Sequence, residues 1–181
     1  DLYHNLSPTI IGLQETNKNW NCYDATIGRL QQSIHRRWPG SKLTTAHCSE
    51  DVFHGPSQPG GVAQMILRQL TARVTKHGKD PYGRFTWHET MLDGTRNLLV
   101  VTAYRVSQRR IKGCGPTTSI MQQWRQLRAK GIDNPNLQQQ MLDDLATFLK
   151  PHIQAGNEVI LMMDANDSIE SHPMDEFFDS L

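Results

Sequence analysis

Two carboxylates close apolar runs that lie far apart in the chain. Glu15 follows residues 9–14, and Asp164 follows residues 159–163. Asn166 stands two positions after Asp164. A third apolar run, residues 98–104, ends in Tyr104 and Arg105. Hydrolysis of a phosphodiester needs such a set. Its substrate is anionic and repels an attacking water, so a hard cation held by one or two carboxylates must neutralise that charge. A second carboxylate can orient or deprotonate the water. Neutral donors such as Asn and Tyr can meet developing negative charge without displacing the cation. Taken singly, each residue has an ordinary reading. Glu15 reads as a solvated loop residue, Asp164 and Asn166 as turn or cap residues, and Tyr104 as a core aromatic with its hydroxyl at the surface.

The surrounding pattern must place these residues at strand ends, where a side chain is held rigidly. Residues 9–14 read as a buried strand. Tyr23, Ile27, Leu30, Ile34 and Trp38 recur at helical spacing, and Pro39-Gly40 stops that helix. Residues 41–46 and 62–67 read as strands around a loop at 47–59. Residues 71–76 and 84–92 read as a hairpin with its turn at 78–83. Residues 98–104, apolar and β-branched, read as a central strand. Two helices follow. The first covers 119–130. The second starts at Asn134-Pro135, a cap followed by a proline at the first helical position, and ends at Pro151. Residues 158–163 read as a buried strand, and a last helix starts near Pro173. Strands and helices alternate around a hairpin, which predicts an α/β or α+β sandwich in one domain of 181 residues.

In this order the motifs resemble the endonuclease/exonuclease/phosphatase superfamily. The residues that carry the resemblance are Ile10-Ile-Gly-Leu-Gln-Glu15, Gly60-Gly61-Val62, Thr102-Ala-Tyr104-Arg105-Val106 and Ile160-Leu-Met-Met-Asp164-Ala-Asn166. The resemblance spans nearly the whole chain. It implies a four-layer α/β (α+β) sandwich, two packed mixed β-sheets flanked by helices, incomplete at both ends. It implies Mg²⁺, with Mn²⁺ as a substitute, ligated by Glu15. Asp164 would activate or position the water, Asn166 would hold the scissile phosphate or the nucleophile, and Tyr104 would stabilise charge on the phosphate. Some features depart from the family pattern. Met163 stands where a Gly is usual, and Arg105 follows the tyrosine. The family's early Asn and its terminal Asp-His pair have no counterpart here. The expectation is a chain truncated at both ends and inactive by itself.

Net charge is +1, so its distribution is more informative than its sum. Residues 94–132 contain no acid and include Arg105, Arg109, Arg110, Lys112, Arg125 and Arg128. A basic stretch of this kind suits a polyanion, although it also suits a plain solvated surface. Arg105, Arg109 and Arg110 are the expected phosphate contacts, and Trp124, set among arginines, is the expected aromatic contact to nucleic acid. Residues 164–181 reverse the pattern, with acids and no Lys or Arg. Three cysteines with no zinc-ligand spacing point to reduced thiols inside the cell. No apolar run is long enough for a membrane span. The run from Gly12 to Trp20, with Gln58-Pro-Gly-Gly61, also resembles endonuclease domains that precede reverse transcriptases in retroelements. That resemblance implies DNA rather than RNA as partner, a nick that exposes a 3′-hydroxyl, a reverse transcriptase domain on the same polyprotein, and work in the nucleus. Two rival readings keep the fold: a phosphatase or phospholipase acting on inositol phosphates or phospholipids, and a degenerate domain that binds nucleic acid without cutting. A P-loop ATPase would need a Gly-rich Lys-Ser/Thr loop, which the sequence lacks.

Overall fold

The computed structural model describes residues 7–49, 53–107, 111–168 and 171–181, and for residues 22–28 the backbone alone. Among these, seven strands form two sheets. The smaller sheet has the order β1-β3-β2, from β1 (Ile10–Leu13), β2 (Lys42–Ala46) and β3 (Val62–Ile66), and is antiparallel throughout. The larger has the order β4-β5-β6-β7, from β4 (Val74–Lys79), β5 (Phe85–Met91), β6 (Asn97–Tyr104) and β7 (Glu158–Asp164). Its last pair, β6 and β7, is parallel, so this sheet is mixed while the smaller is not. The helices are α1 (Asp24–Arg37), α2 (Ser119–Ala129), α3 (Leu137–Gln154) and α4 (His172–Asp179). The two-sheet α+β arrangement expected from the alternation is present.

Period-2 alternation gives the larger sheet two different faces. Phe85, Leu99, Val101 and Ala103 point outward and pack against α3 through Leu142 and Leu145 and against α4 through Phe177. The opposite face meets the smaller sheet through polar side chains. Thr44 Oγ1 lies 3.0 Å from His88 Nε2, His88 Nδ1 lies 2.5 Å from Gln64 Oε1, and Gln64 Nε2 donates to Thr102 Oγ1 at 3.0 Å. Gln64, His88 and Thr102 are fully buried. Each has a partner, which is the condition for keeping such groups away from water. A second apolar cluster, with Ala46, Val62, Tyr104, Ile120 and Leu137, joins the smaller sheet to α2 and the start of α3.

Several expected boundaries move. The cap of α3 is Asn136, whose side chain accepts from Gln139 N, whereas Asn134 sits two residues earlier with φ +50°. Pro151 lies inside α3, which runs on to Gln154. Pro151 forgoes its own N–H bond and crowds the carbonyl one turn back, but the helix closes within a turn, with Ala155 N donating to Pro151 O. Residues Arg68–Arg73 wind into a 3-10 turn, so β4 begins only at Val74. Gly78 belongs to β4 rather than to the turn, paired with Trp87 of β5, and a Cβ there would stand 2.7 Å from the Trp87 ring. β6 is central and buried as expected. β1 and β7, expected to be buried, are half-buried because each is paired on one side only among the described residues. Ile160 of β7 is 43% exposed. In α1, Ile34 is buried and Leu30 is exposed; Tyr23 and Ile27 lie outside the described side chains.

Candidate active site

Gly12 sets how closely the two sheets meet at the site. A Cβ on Gly12 would lie 2.7 Å from Thr102 Oγ1 and 2.9 Å from Met162 Cε, so only glycine lets β1 lie this near β6 and β7. Gln14 Nε2 adds a bond to Met162 O at 3.3 Å. The chain then turns sharply, with Glu15 at φ +47° and Asn17 at φ +51°. That conformation is rare for residues other than glycine and persists only where the surroundings impose it. Here the surroundings are the Gly60-Gly61 backbone. Thr16 N donates to Gly61 O at 3.0 Å, Asn17 N donates to Gly60 O at 2.9 Å, and Asn17 Oδ1 accepts from Gly60 N at 2.9 Å.

This turn brings Glu15 to the end of β6. The Tyr104 ring is buried and its hydroxyl donates to Glu15 Oε1. Burial, and then the adjoining Glu15 carboxylate, push the Tyr104 hydroxyl well above the usual phenol range, with the Ser119 hydroxyl at the start of α2 acting in the opposite direction. Asp164 stands opposite Tyr104 in the parallel register of β6 and β7, with Arg105 N donating to Asp164 O at 2.9 Å. The negative charge of Asp164 also reaches the Tyr104 hydroxyl. Asn166, at φ +49°, donates from Nδ2 to Arg105 O at 2.7 Å, and its backbone N–H donates to Asp164 Oδ1 at 3.2 Å. The C-terminal tips of β1, β6 and β7 therefore gather Glu15, Tyr104, Asp164 and Asn166.

The four residues border two clefts that share no lining residue. Glu15 and Tyr104 line one of about 490 Å³, walled by Gly60, Ser107 and Ser119. Asp164 and Asn166 line another of about 400 Å³ beside Met174 and Phe178. Among the described residues, no group of three His, Cys, Asp or Glu side chains is placed to share an ion. Glu15 and Asp164 are oxygen donors of the kind a hard cation takes, each at the edge of its own cleft. Such a cation needs one or two carboxylates and takes its other ligands from water and phosphate.

Arg105 is not a phosphate contact. It is 2% exposed, its Nη1 bonds Asp167 Oδ2 at 2.9 Å and Ala165 O at 3.3 Å, and its Nε bonds Gln138 O at 3.3 Å. Through Nε and Nη1 the guanidinium ties the loop after β7 to α3. Trp124 packs against the second apolar cluster under the Arg128 guanidinium, 5.0 Å from its ring centre, and does not line the cleft of Glu15. Arg109 and Arg110 lie outside the described residues.

Gln58 and Gln122, which carry the cleft's far wall, were not among the expected site residues. Gln58 Nε2 donates to Cys48 O at 2.7 Å and to Gln122 Oε1 at 2.8 Å. Gln122 Nε2 donates to Pro59 O at 3.1 Å and to Thr117 O at 2.8 Å. This buried pair holds the Pro59-Gly60 loop against the start of α2. Its trace in the sequence is the run of glutamines at 122, 123 and 126, all on the buried side of α2.

No protein-family model matches the chain, and no curated protein matches it.

Proposed function

We propose that the chain is a Mg²⁺-dependent phosphodiester hydrolase of the endonuclease/exonuclease/phosphatase type that nicks DNA. One observation carries this reading: the hydroxyl of the buried Tyr104 bonds Glu15, and Tyr104 stands beside Asp164 in the parallel register of β6 and β7. Bound between Glu15 and Asp164, the cation would supply charge neutralisation and polarise the phosphoryl oxygen. Asp164, exposed at the tip of β7, is the group to orient the water and take its proton. The water oxygen bonds to phosphorus, the bond from phosphorus to the 3′ oxygen breaks, and the leaving oxygen ends protonated as a 3′-hydroxyl. Tyr104 would donate to a phosphate oxygen in place of its bond to Glu15. Asn166 is fixed beside Asp164 by its bond to Arg105 O and would hold the scissile phosphate or the nucleophile.

The choice of a long polyanion rests on position and charge. Lys112 is exposed and adjoins Gly113, which lines the cleft of Glu15. Arg128 and Lys130 are also exposed, on and just beyond α2. No described helix is long and apolar enough to cross a membrane. The likeness to endonuclease domains that precede reverse transcriptases fits a nick that exposes a 3′-hydroxyl.

The test is conversion of supercoiled plasmid to open circles by the protein as its gene encodes it, with Mg²⁺ and with EDTA. Nicking that needs Mg²⁺ and falls at least a hundredfold in Glu15→Ala is the expected result. Equal nicking by wild type and Glu15→Ala overturns the reading. So does salt-sensitive DNA binding with no cleavage, which would make the protein a non-cutting binder.

A further inference from the structure

Glu15 holds a left-handed backbone, and the two amides that follow it are both spoken for. Thr16 N donates to Gly61 O and Asn17 N to Gly60 O. Whatever fixes the Gly60-Gly61 loop therefore fixes the turn that carries Glu15. Gly60 is pressed against the start of α2, since a Cβ on it would stand 2.8 Å from Ser119 Cβ. One buried side chain of α2 makes the attachment. Gln122 is 1% exposed. Its Nε2 donates to Pro59 O at 3.1 Å and to Thr117 O at 2.8 Å, and its Oε1 accepts from Gln58 Nε2 at 2.8 Å. Gln58 Nε2 carries the connection on to Cys48 O, just beyond β2. A primary amide has two N–H donors and a carbonyl acceptor. In Gln122 both donors and the carbonyl are spent on neighbouring loops. Packing of the helix alone does not require this. Gln126, one turn further along the buried side of α2, is 4% exposed, yet its Nε2 meets no partner among the described residues.

We infer that Gln122, braced by Gln58, is a positioning residue for Glu15, acting through Pro59 and the Gly60-Gly61 loop. This rests on the reading of Glu15 as a cation ligand. It gives α2, a helix without an acidic residue, the task of holding that ligand still. Misplacing a reacting group by about 1 Å can cost up to about a hundredfold in rate. Slack of that order in the loop would silence the site while the fold survives.

Gln122→Met tests the idea, with Gln126→Met as its control on the same helix. Methionine keeps the unbranched shape of glutamine and drops its donors. Gln58→Met frees the same loop from Cys48 and Gln122, and serves if Gln122→Met does not fold. The first readout is amide hydrogen exchange, which needs neither cation nor turnover. Loss of one hydrogen bond is worth about a tenfold change in an opening equilibrium. The Thr16 and Asn17 amides are therefore expected to exchange about tenfold faster in Gln122→Met, while those of Val100 and Val101 in β6, which report global opening, stay as in wild type. The second readout is Mg²⁺-dependent nicking, expected to fall about tenfold or more in kcat with KM for plasmid unchanged. Gln126→Met is expected to do neither. Unchanged exchange at Thr16 and Asn17 refutes the inference, and so does a Gln126→Met variant that matches Gln122→Met in both readouts. Faster exchange with wild-type nicking refutes it too and leaves the cation reading standing. Nicking that survives Glu15→Ala refutes the cation reading, and the positioning role with it.

Discussion

Asn166 shows how far one side chain can be committed before any substrate arrives. Its Nδ2 donates to the carbonyl of Arg105, its backbone N–H bonds Asp164, and its φ is positive. Asparagine suits all three demands, since it tolerates the left-handed region and offers both a donor and an acceptor. Aspartate tolerates the same backbone but carries only acceptors when ionised. Asn166→Asp would set a carboxylate oxygen against the Arg105 carbonyl. The expected cost is about 1–3 kcal/mol, the usual penalty for a broken bond that leaves a polar group unmet, read from urea denaturation. A stability equal to wild type would show that the bond to Arg105 O contributes nothing to the fold. Arg105 itself illustrates what a sequence hides at this scale. Its position after the tyrosine suggested a phosphate contact, but whether an arginine faces outward depends on which acceptors the fold brings to it. Those acceptors, Asp167, Ala165 and Gln138, come from two later segments.

At the scale of elements, the strands that end in polar residues were legible. Apolar, β-branched runs with a polar terminus give β1, β6 and β7, and thereby Glu15, Tyr104 and Asp164. Their depth was not legible, because an edge strand and a central one can share a composition, and pairing is decided by distant parts of the chain. The closest sheet contact was hidden for a similar reason. Gly12 reads as a weak point in a strand until Thr102 and Met162 are seen to fill the space where its side chain would be. Gly12→Ala must push β1 away from β6 and β7 or shift Thr102. Overpacking of this kind typically costs about 1–3 kcal/mol. It should also loosen Glu15 from Tyr104, since β1 carries one and β6 the other. A thermal denaturation scan measures the first effect. An unchanged melting temperature in Gly12→Ala would mean that the close approach of the sheets is not needed. The glutamine clamp between Gln58 and Gln122 was illegible for another reason. A glutamine on a helix normally reads as solvated, and only the loop carbonyls of Pro59 and Thr117, with Gln58 donating to its Oε1, explain why Gln122 faces inward.

The molecule as a whole is joined in two ways. Apolar side chains bind α3 and α4 to the outer face of the larger sheet, whereas the face between the sheets is bridged by Thr44, His88, Gln64 and Thr102. A polar bridge makes the union of the sheets sensitive to pH. Desolvation, with smaller contributions from His77 and Lys42, lowers His88 from 6.5 to about 4, and burial with Lys79 lowers His47 to about 4. The unfolded chain binds protons at these histidines near pH 6.5 while the folded one does not. Their contribution to stability is therefore full above about pH 6.5 and is lost as pH falls towards 4. For His88 the shift from 6.5 to about 4 corresponds to at most ~3 kcal/mol over that window. Urea denaturation at a series of pH values should show stability falling on acidification. In His88→Gln the fall should be about half as steep, because His47 still titrates. Glutamine can keep one of the two bonds, to Thr44 or to Gln64, but does not charge. Equal slopes for wild type and His88→Gln would mean that the sheets do not separate through this bridge when the protein meets acid.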